Sequence, residues 1–229
     1  MSRVPFAGSS VCRERRPARS EIPRHRHEQA YAALVVGGSF EEAGDCGRWI
    51  VEAGSILIHS RFEAHLDRFG SRGAEIVNVP LPGASDMAPG VWKVDDPDSI
   101  VGFAADAGPE IWPLLRTQLR CAAPRLGDWP DLLADDLAVD PNLSLRAWAS
   151  RTGLSPSAVS RGFRKVYGTS PKAFRAEARA RRAWLQIECS AARLAEIAAE
   201  TGFADQAHMT RGVSAVTGKT PGAWRRPGN

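Results

Sequence analysis

Residues 197–213 read Ile-Ala-Ala-Glu-Thr-Gly-Phe-Ala-Asp-Gln-Ala-His-Met-Thr-Arg-Gly-Val, which predicts two helices joined by a tight turn. Gly202 stands at the turn, because glycine adopts the positive φ that such a turn requires. Ala198 is small enough for the second helix to cross the first, and the apolar Phe203 fills the joint. Asp205 is placed to cap the second helix. The segment therefore has the pattern of a helix-turn-helix.

The same pattern occurs a second time, earlier in the chain. The glycines of the two turns are 49 residues apart, whereas the residues that follow the turns match at an offset of 50, which indicates a one-residue insertion in the second turn. An internal repeat predicts that one supersecondary unit is built twice. The matching segments are 149–154 with 198–203, 161–163 with 211–213, and 170–175 with 220–225.

A linker helix is predicted between the two copies. In the first copy Ser155 is placed to cap the second helix and Pro156 to start it, and glycines at 168 and 218 are placed to end the two second helices. The expected boundaries are about 144–167 for the first helix-turn-helix, about 170–187 for the linker helix and about 193–217 for the second helix-turn-helix. A linker of that length spans about 26 Å. With the width of the motifs added, the two second helices would enter successive major grooves, ~34 Å apart.

The second helix of each copy has an apolar face, which leaves the other residues outward. Val159 and Phe163 lie on this face in the first copy, and Met209 and Val213 in the second. The outward residues are Ser157, Ser160, Arg161, Arg164, Gln206, Ala207, Thr210 and Arg211. Arginine can bind guanine with two hydrogen bonds, and glutamine can bind adenine in the same way. These residues are candidate DNA contacts; the alternative for each one is a solvated surface position.

Charge separates the two halves of the 229-residue chain. Residues 1–140 hold 15 Lys and Arg against 21 Asp and Glu, a net −6, whereas residues 141–229 hold 15 against 5, a net +10. A basic segment joined to an acidic one is typical of a polyanion-binding domain attached to another domain, although a solvated basic surface has the same composition. The candidate phosphate contacts are Lys165, Arg175, Arg179, Arg181 and Arg182.

Short apolar runs separated by glycine and proline occupy the first 105 residues or so. Strands are predicted at 30–36, 48–51, 55–59, 64–69 and 74–79. Strands of this length and spacing predict a small antiparallel barrel or sandwich. Residues 83–109 are rich in Gly, Pro and Asp and are predicted as loop or linker. The whole chain is therefore predicted to be α+β, with a β-barrel domain followed by an all-α domain.

Residues 110–119 have the periodicity of a helix. Ile111, Leu115 and Leu119 recur every four residues, with Trp112 beside them, and form one apolar face. This face would either pack on the barrel of its own chain or form the seam of a dimer. The sequence leaves both interpretations open.

Residues from about 131 to 226 resemble the DNA-binding domain of the AraC/XylS family of bacterial transcription regulators. The matching motifs are Ala149-x3-Gly153-Leu-Ser-Pro-Ser, Val159-Ser-Arg161-Gly-Phe163, Gly168-Thr-Ser-Pro171, Ile197-Ala198-x3-Gly202-Phe203-Ala-Asp-Gln-Ala-His-Met-Thr-Arg211 and Gly218-Lys-Thr-Pro221-Gly-Ala-Trp224-Arg225. The resemblance implies seven helices, and it implies that Ser157, Ser160, Arg161, Gln206, Ala207, Thr210 and Arg211 face DNA. The family usually has Phe where Val213 stands and more basic residues where Ser214–Thr217 stand. The second motif is therefore expected to bind phosphate weakly.

The N-terminal half resembles the cupin-type sensor domain that is common in this family. Pro23-Arg-His25-Arg-His27, followed by Tyr31, resembles the first cupin motif, and Gly54–Ser60 followed by His65 resembles the second. The resemblance implies a small cupin-like barrel in which His25, His27 and His65 form a metal or effector pocket. The glutamate that usually follows the histidine pair is absent, since Ala32 stands there, so these histidines could instead line the pocket of an organic ligand. His59 is interpreted as a strand-end residue rather than a fourth ligand.

Several classes of protein are excluded by what the sequence lacks. The four cysteines (Cys12, Cys46, Cys121 and Cys189) form no CxxC motif, which argues against a disulfide framework or a zinc finger and fits a reducing cytoplasm. No apolar stretch resembles a secretory signal or a membrane helix. The Gly218-Lys-Thr triplet ends like a nucleotide-binding loop, but Val213 stands where that loop needs glycine.

The sequence therefore predicts a cytoplasmic, non-enzymatic, sequence-specific transcription regulator. The predicted domains are 1–108 for effector sensing, 109–129 as a helix and linker with a role in dimerisation, and 130–229 for DNA binding. The predicted partners are double-stranded DNA and a small-molecule effector, with RNA polymerase and a second copy of the chain as further candidates, and no membrane. No cofactor is required, but a divalent metal at the three histidines is a candidate. The alternative function is a cupin metalloenzyme with an appended regulatory helical domain.

Overall fold

A computed structural model of the protein describes residues 2–3, 11–81, 88–107, 111–140 and 142–225. The chain divides into two compact units, which we call unit 1 (Met1–Gly127) and unit 2 (Asp128–Asn229). Unit 1 is a mostly antiparallel sheet with helices, and unit 2 is helical. The predicted α+β class, with the sheet first and the helices second, is confirmed. None of the helices in the described residues combines the length and hydropathy that crossing a membrane requires.

The described part of unit 1 contains nine strands and two helices. The strands are β1 (Ser2–Arg3), β2 (Cys12–Arg16), β3 (Glu21–Arg26), β4 (Tyr31–Gly44), β5 (Gly47–Glu52), β6 (Ser55–His59), β7 (Ala64–Pro80), β8 (Gly90–Val94) and β9 (Leu119–Ala122). The helices are α1 (Pro97–Ala107) and α2 (Ile111–Gln118). Neighbouring strands follow the order β1-β3-β7-β4-β6-β8-β9, with β2 paired to β7 and β5 paired to β4. All of these pairs are antiparallel except β1 with β3.

Two strands are longer than the sequence predicts, because each continues through glycines that were expected to end it. β4 continues through the glycines at 37 and 38, and β7 joins the two strands predicted at 64–69 and 74–79. The register between β4 and β7 shifts at this point, so the glycines form bulges rather than ends. A Cβ atom on Gly38 would lie 2.0 Å from the carbonyl oxygen of Gly73, so the two backbones approach each other too closely for any side chain. The glycine signal marks a bend in a continuous strand.

The prediction of a loop or linker over 83–109 is wrong for the residues that the structure describes. They form β8 and α1, and Ile100 of α1 is fully buried. The polar residues that suggested a loop lie at the start of the helix, where the carboxylate of Asp96 accepts a hydrogen bond from the backbone N–H of Ser99 (3.1 Å). The segment predicted as helix and linker (109–129) contains the helix α2 and the strand β9, which belong to unit 1.

The sheet of unit 1 carries an apolar layer on each face. Along β4, Ala32 and Leu34 belong to one layer, whereas Tyr31 and Ala33 belong to the other. Burial on both faces explains why this strand reads as a continuous apolar run. Leu115 of α2 is fully buried in the first layer, and Leu119 packs against it. Of the two interpretations of the 110–119 helix, the structure therefore favours packing on its own sheet; Glu110 and the side chains of Ile111 and Trp112 lie outside the described residues.

The described part of unit 2 contains seven helices. They are α3 (Trp129–Val139), α4 (Leu145–Arg151), α5 (Pro156–Tyr167), α6 (Pro171–Cys189), α7 (Leu194–Glu200), α8 (Gln206–Thr217) and α9 (Pro221–Trp224). The first copy of the repeat forms α4 and α5, the second forms α7 and α8, and α6 connects them. The predicted caps are present: the side chain of Ser155 accepts a hydrogen bond from the backbone N–H of Ala158, and that of Asp205 from the backbone N–H of His208.

Candidate DNA-binding surface and buried cavity

The two helix-turn-helix turns have the same geometry. Gly153 and Gly202 have φ values of 69° and 80°, in the left-handed region that favours glycine. In the first turn the backbone N–H of Leu154 donates to the carbonyl of Ala149 (3.0 Å). In the second turn the N–H of Phe203 donates to the carbonyl of Ala198 (2.8 Å). The sequence repeat is therefore a structural repeat.

The outward faces of α5 and α8 are the candidate DNA-binding surface. Val159 and Phe163 are buried under α5, and Met209 and Val213 are buried under α8. Seven of the eight predicted DNA-facing residues are exposed and Thr210 is half-buried, its hydroxyl donating to the carbonyl of Gln206 (2.9 Å). The exposed seven are Ser157, Ser160, Arg161, Arg164, Gln206, Ala207 and Arg211. Their contact with DNA stays a prediction.

Three arginines on this surface have unused guanidinium groups. Arg161, Arg164 and Arg211 form no hydrogen bond or ion pair with any residue in the described part of the chain. The exposed Arg193, in contrast, is paired, since it donates from Nε to the carboxylate of Glu196 (2.7 Å). An unpaired arginine on an outward helix face is available to phosphates or to base edges.

Three arginines of α6 bind backbone carbonyls within unit 2, and their predicted contact with phosphate stays a prediction. Arg175 donates to the carbonyl of Leu143 (2.8 Å), Arg179 donates to that of Gly202 (2.7 Å), and Arg182 donates to that of Ala138. The guanidinium of Arg179 also lies over the ring of Phe203, 5.3 Å from its centroid. All three side chains are half-buried. They bind carbonyl oxygens that helix ends and turns leave without a helical partner.

The other two candidates in this group are placed differently. Lys165 is exposed in the last turn of α5 and stays a candidate phosphate contact, whereas Arg181 of α6 is half-buried.

Unit 1 contains a cavity of about 270 Å³. Side chains alternate between the two faces of a strand, and His25 on β3 and His27, which directly follows β3, line the cavity together. The lining residues are Glu14, Arg16, Ile22, His25, His27, Tyr31, Ala33, Phe40, Glu42, His59, His65, Asp67, Phe69, Ile76 and Asn78. The cavity is therefore lined by aromatic, apolar and buried ionisable groups.

The three predicted histidines meet in this cavity, and we call them the three-histidine cluster. His25 on β3 is directly opposite His65 on β7. The centroids of these two rings are 4.3 Å apart, and the ring of His27 is 4.9 Å from that of His25. One ring nitrogen of each histidine lies within 4.8 Å of the other two. The fold brings together the three histidines that the sequence motifs predicted, and the binding of a metal stays a prediction.

Burial keeps the imidazoles of His25 and His65 neutral. It lowers the pKa of His25 to about 4, although a hydrogen bond from Nδ1 to the carbonyl of Pro23 (3.0 Å) opposes the shift. Burial also lowers the pKa of His65 well below its usual value. A carbonyl can only accept, so Nδ1 of His25 carries the proton and Nε2 keeps its lone pair. Neutral imidazole with a fixed tautomer is the form that binds a metal.

Glu42 is a cavity residue that the sequence motifs did not identify, and His59 is one that the sequence favours less as a ligand. The side chain of Glu42 is 1% exposed and that of His59 is 2% exposed, and Nε2 of His59 lies 3.4 Å from Oε2 of Glu42. His59 is indeed the last residue of β6, but its ring is in the cavity, 4.3 Å from that of His65, which corrects its interpretation as only a strand-end residue. At position 32, where the cupin motif usually has glutamate, Ala32 belongs to the other apolar layer.

The bulge in β4 explains why Glu42 faces the cavity. Before the bulge the odd-numbered residues Tyr31 and Ala33 line the cavity, and after it the even-numbered Phe40 and Glu42 do so. Glu42 is directly opposite Asp67 on β7, so two buried carboxyl groups lie side by side. Burial raises the pKa of both groups, and for Asp67 the neighbouring Glu42 raises the pKa further. At the double glycine of positions 37 and 38, the cavity-facing residues of β4 change from odd-numbered to even-numbered. This double glycine is the signal in the sequence that could have located Glu42.

A family model described as a helix-turn-helix domain matches residues 148–227. No curated protein matches the chain. Similar solved structures include the C-terminal domain of AraT, a response regulator from Geobacillus stearothermophilus, at 21% identity over 45% of this chain and 88% of that one (TM-score 0.41). Another is ToxT from Vibrio cholerae with an unsaturated fatty acid bound, at 9% identity over 95% of each chain (TM-score 0.40). A probable AraC family transcriptional regulator from Rhodopseudomonas palustris shares 19% identity over 41% of this chain and 94% of that one (TM-score 0.38).

The family match spans α5 and α8, the second helix of each helix-turn-helix, and the linker helix α6 between them. It coincides with the repeat that the turns and caps display in three dimensions. Residues 148–227 are a helix-turn-helix domain of the AraC type.

Proposed function

We propose that this protein is a transcription regulator that binds a promoter through both helix-turn-helix units and responds to a ligand or metal ion in the cavity of unit 1. The observation that carries the proposal is the equivalence of Arg161 and Arg211. They occupy the same place in two copies of one motif, and both guanidinium groups lack a partner among the described residues.

The outward side chains of α5 and α8 support recognition of base pairs. An arginine that meets a guanine edge donates two hydrogen bonds, and Gln206 at the start of α8 has the amide that pairs with adenine. The N-terminal part of a recognition helix is the part that reaches base edges in the major groove. The net charge of +10 over residues 141–229 supports attraction to the phosphates of any sequence. Specific and non-specific binding therefore have separate physical sources in unit 2.

The cavity of unit 1 supports the sensing role. In its three-histidine cluster, His25 and His65 offer neutral imidazoles, and Nδ1 of His65 is buried without a hydrogen-bond partner in the described residues. Three imidazoles suit a divalent ion such as Zn²⁺, and His25, His27 and His65 would hold it. An organic effector would use the same lining. A helix-turn-helix domain that matches a family model gives no support to the metalloenzyme alternative, which we do not retain.

A selection experiment tests the DNA-binding proposal. Duplexes are selected from a random-sequence library with the full chain, and the affinity for the selected duplex is measured by fluorescence anisotropy at several salt concentrations. Arg161→Ala and Arg211→Ala are each expected to weaken specific binding by about 1–3 kcal/mol, because each removes a base contact. Arg72→Ala, which removes the same charge from an exposed position of unit 1, is the matched control. Unchanged specific binding by both variants at every salt concentration would contradict the proposal.

A further inference from the structure

We infer that Glu42, His59 and His65, which we call the mixed cluster, form a second metal-ion site in unit 1, next to the three-histidine cluster and sharing His65 with it. With both sites filled, His65 binds as an imidazolate with one ring nitrogen on each ion, and its N–H proton is released to solvent. The ion that this site would bind is a divalent first-row transition metal. The inference extends the sensing role proposed for the cavity. Its test counts metal ions in the absence of DNA, so it succeeds or fails independently of DNA binding.

The sheet register brings the mixed cluster together. On the β4–β7 ladder His65 is directly opposite Gly44, and Glu42 is two residues before Gly44 on the same face. On the β4–β6 ladder His59 is directly opposite Tyr31, whose ring stacks on it at 4.4 Å. A Cβ atom on Gly44 would lie 3.2 Å from Cβ of His65 and 3.6 Å from Oε1 of Glu42. Glycine at position 44 therefore leaves open the space between two of the ligands.

The distances suit metal binding after a small closure. One ligand atom from each member of the mixed cluster lies within 4.8 Å of the other two. A metal bound at about 2.0–2.2 Å from each ligand needs the ligand atoms to be about 3–4 Å apart. Nε2 of His59 and Oε2 of Glu42, at 3.4 Å, already meet this requirement. The two distances to His65 are within 4.8 Å.

The electrostatics of Glu42 provide the reason for a cation. Its side chain is 1% exposed, and Oε1 has no hydrogen-bond partner in the described part of the chain. Its contacts there are with His59 and with Asp67, a second carboxyl group, so the described residues offer it no lysine or arginine. A buried carboxylate without a compensating charge is costly, and a divalent cation compensates it directly.

The donor chemistry separates the mixed cluster from the three-histidine cluster. Two imidazoles and one carboxylate form the ligand set that suits Fe²⁺ and related divalent ions with open coordination positions. The three-histidine cluster offers no negative charge. The two clusters therefore differ in ligand charge, and variants can remove each one separately, because Glu42 belongs only to the mixed cluster and His27 only to the three-histidine cluster.

The test is the number of metal ions per chain. The full-length protein is stripped of metal, dialysed to equilibrium against buffered Zn²⁺, and analysed by mass spectrometry of the bound metal. Two ions per chain are expected for the wild type, one for Glu42→Gln, one for His27→Ala and none for the double variant. Glu41→Gln is the matched control and is expected to keep two ions, because Glu41 is the neighbouring carboxylate on β4 and pairs with Arg68 outside the cavity.

Co²⁺ provides a second readout that reports the ligands. The visible absorption of bound Co²⁺ is expected to lose one component in Glu42→Gln and to keep it in Glu41→Gln. The inference is overturned if Glu42→Gln binds as many ions as the wild type with the same affinity, or if the wild type binds fewer than two. Glutamine has the shape of glutamate, so the circular dichroism spectrum of the variant is expected to match that of the wild type.

Discussion

The recognition helices α5 and α8 are equivalent in backbone and different in charge. In the last turn of α5 stand Arg164 and Lys165, whereas the equivalent positions of α8, 50 residues later, are Ser214 and Ala215. Both helices keep an exposed arginine at the positions equivalent to 161. The repeat has retained the residues that set the backbone and one candidate base contact, but the second copy lacks the extra positive charges. The two helix-turn-helix copies are therefore expected to contribute unequally to DNA binding, with α5 supplying more of the phosphate affinity.

The cores beneath the two helices also differ. Phe163 and Tyr167 stack at 4.7 Å, and the Tyr167 hydroxyl donates to Oδ1 of Asp131 (2.7 Å). At the positions equivalent to these two rings the second copy has Val213 and Thr217, and the Thr217 hydroxyl accepts a hydrogen bond from the indole N–H of Trp224 (2.8 Å). The same backbone is thus supported by aromatic packing in one copy and by smaller side chains with a hydrogen bond in the other.

The largest expected effect tests this difference in packing. Phe163→Ala is expected to lower the free energy of unfolding by about 3–5 kcal/mol, because it opens a cavity among fully buried rings. Val213→Ala, at the equivalent position, is expected to cost about 1.5–2 kcal/mol, since it removes two buried carbon atoms. Urea unfolding of the full chain, followed by circular dichroism at a helical wavelength, measures both. Equal losses would mean that the two cores contribute equally to the free energy of unfolding despite their different side chains.

A smaller effect tests the backbone that the two copies share. Gly153→Ala and Gly202→Ala are each expected to cost about 1–2 kcal/mol, because alanine is strained at the positive φ of the turn. No atom lies within 4 Å of a Cβ placed on Gly153, so there the cost is backbone strain alone. The control is Gly222→Ala in α9, which also has open space around its Cβ and no positive φ, and which is expected to be neutral or slightly stabilising. A clear difference between the two turn variants would show that the turns are not equivalent.

Local rules predict unit 2 well because its features depend on local chemistry. A glycine at a positive φ, a serine or aspartate cap and an apolar helix face involve residues close together in sequence, and the repeat states each of them twice. The roles of Arg175 and Arg179 could not be predicted in this way. Whether an arginine meets a phosphate or a carbonyl depends on which loop lies beside it, and their acceptors, Leu143 and Gly202, are 32 and 23 residues away in sequence.

Unit 1 is harder to predict because its contacts are not local. His25, His27 and His65 could be grouped only through a motif resemblance. Glu42 escapes such a motif because it reaches the cavity through a bulge that changes which residues of β4 face inward. A search for apolar runs also does not find β2, because its sequence is Cys-Arg-Glu-Arg-Arg. This strand pairs with β7 through its backbone. Ladder partners and bulges, rather than composition, decide which side chains meet in a sheet.

The smallest expected effect tests the division of charge between the two recognition helices. Lys165→Ala is expected to reduce the slope of log affinity against log salt concentration by about 0.9, the value for one lost phosphate contact. Ala215→Lys places a lysine at the equivalent position of α8, which is exposed, and is expected to increase the slope by a similar amount. Anisotropy titrations of the selected duplex between about 50 and 200 mM salt measure the slopes, with Arg72→Ala as the control for loss of charge elsewhere. If Ala215→Lys leaves the slope unchanged while Lys165→Ala reduces it, the last turn of α8 does not approach the phosphates as the last turn of α5 does, and the equivalence of the two helices ends at their first turns.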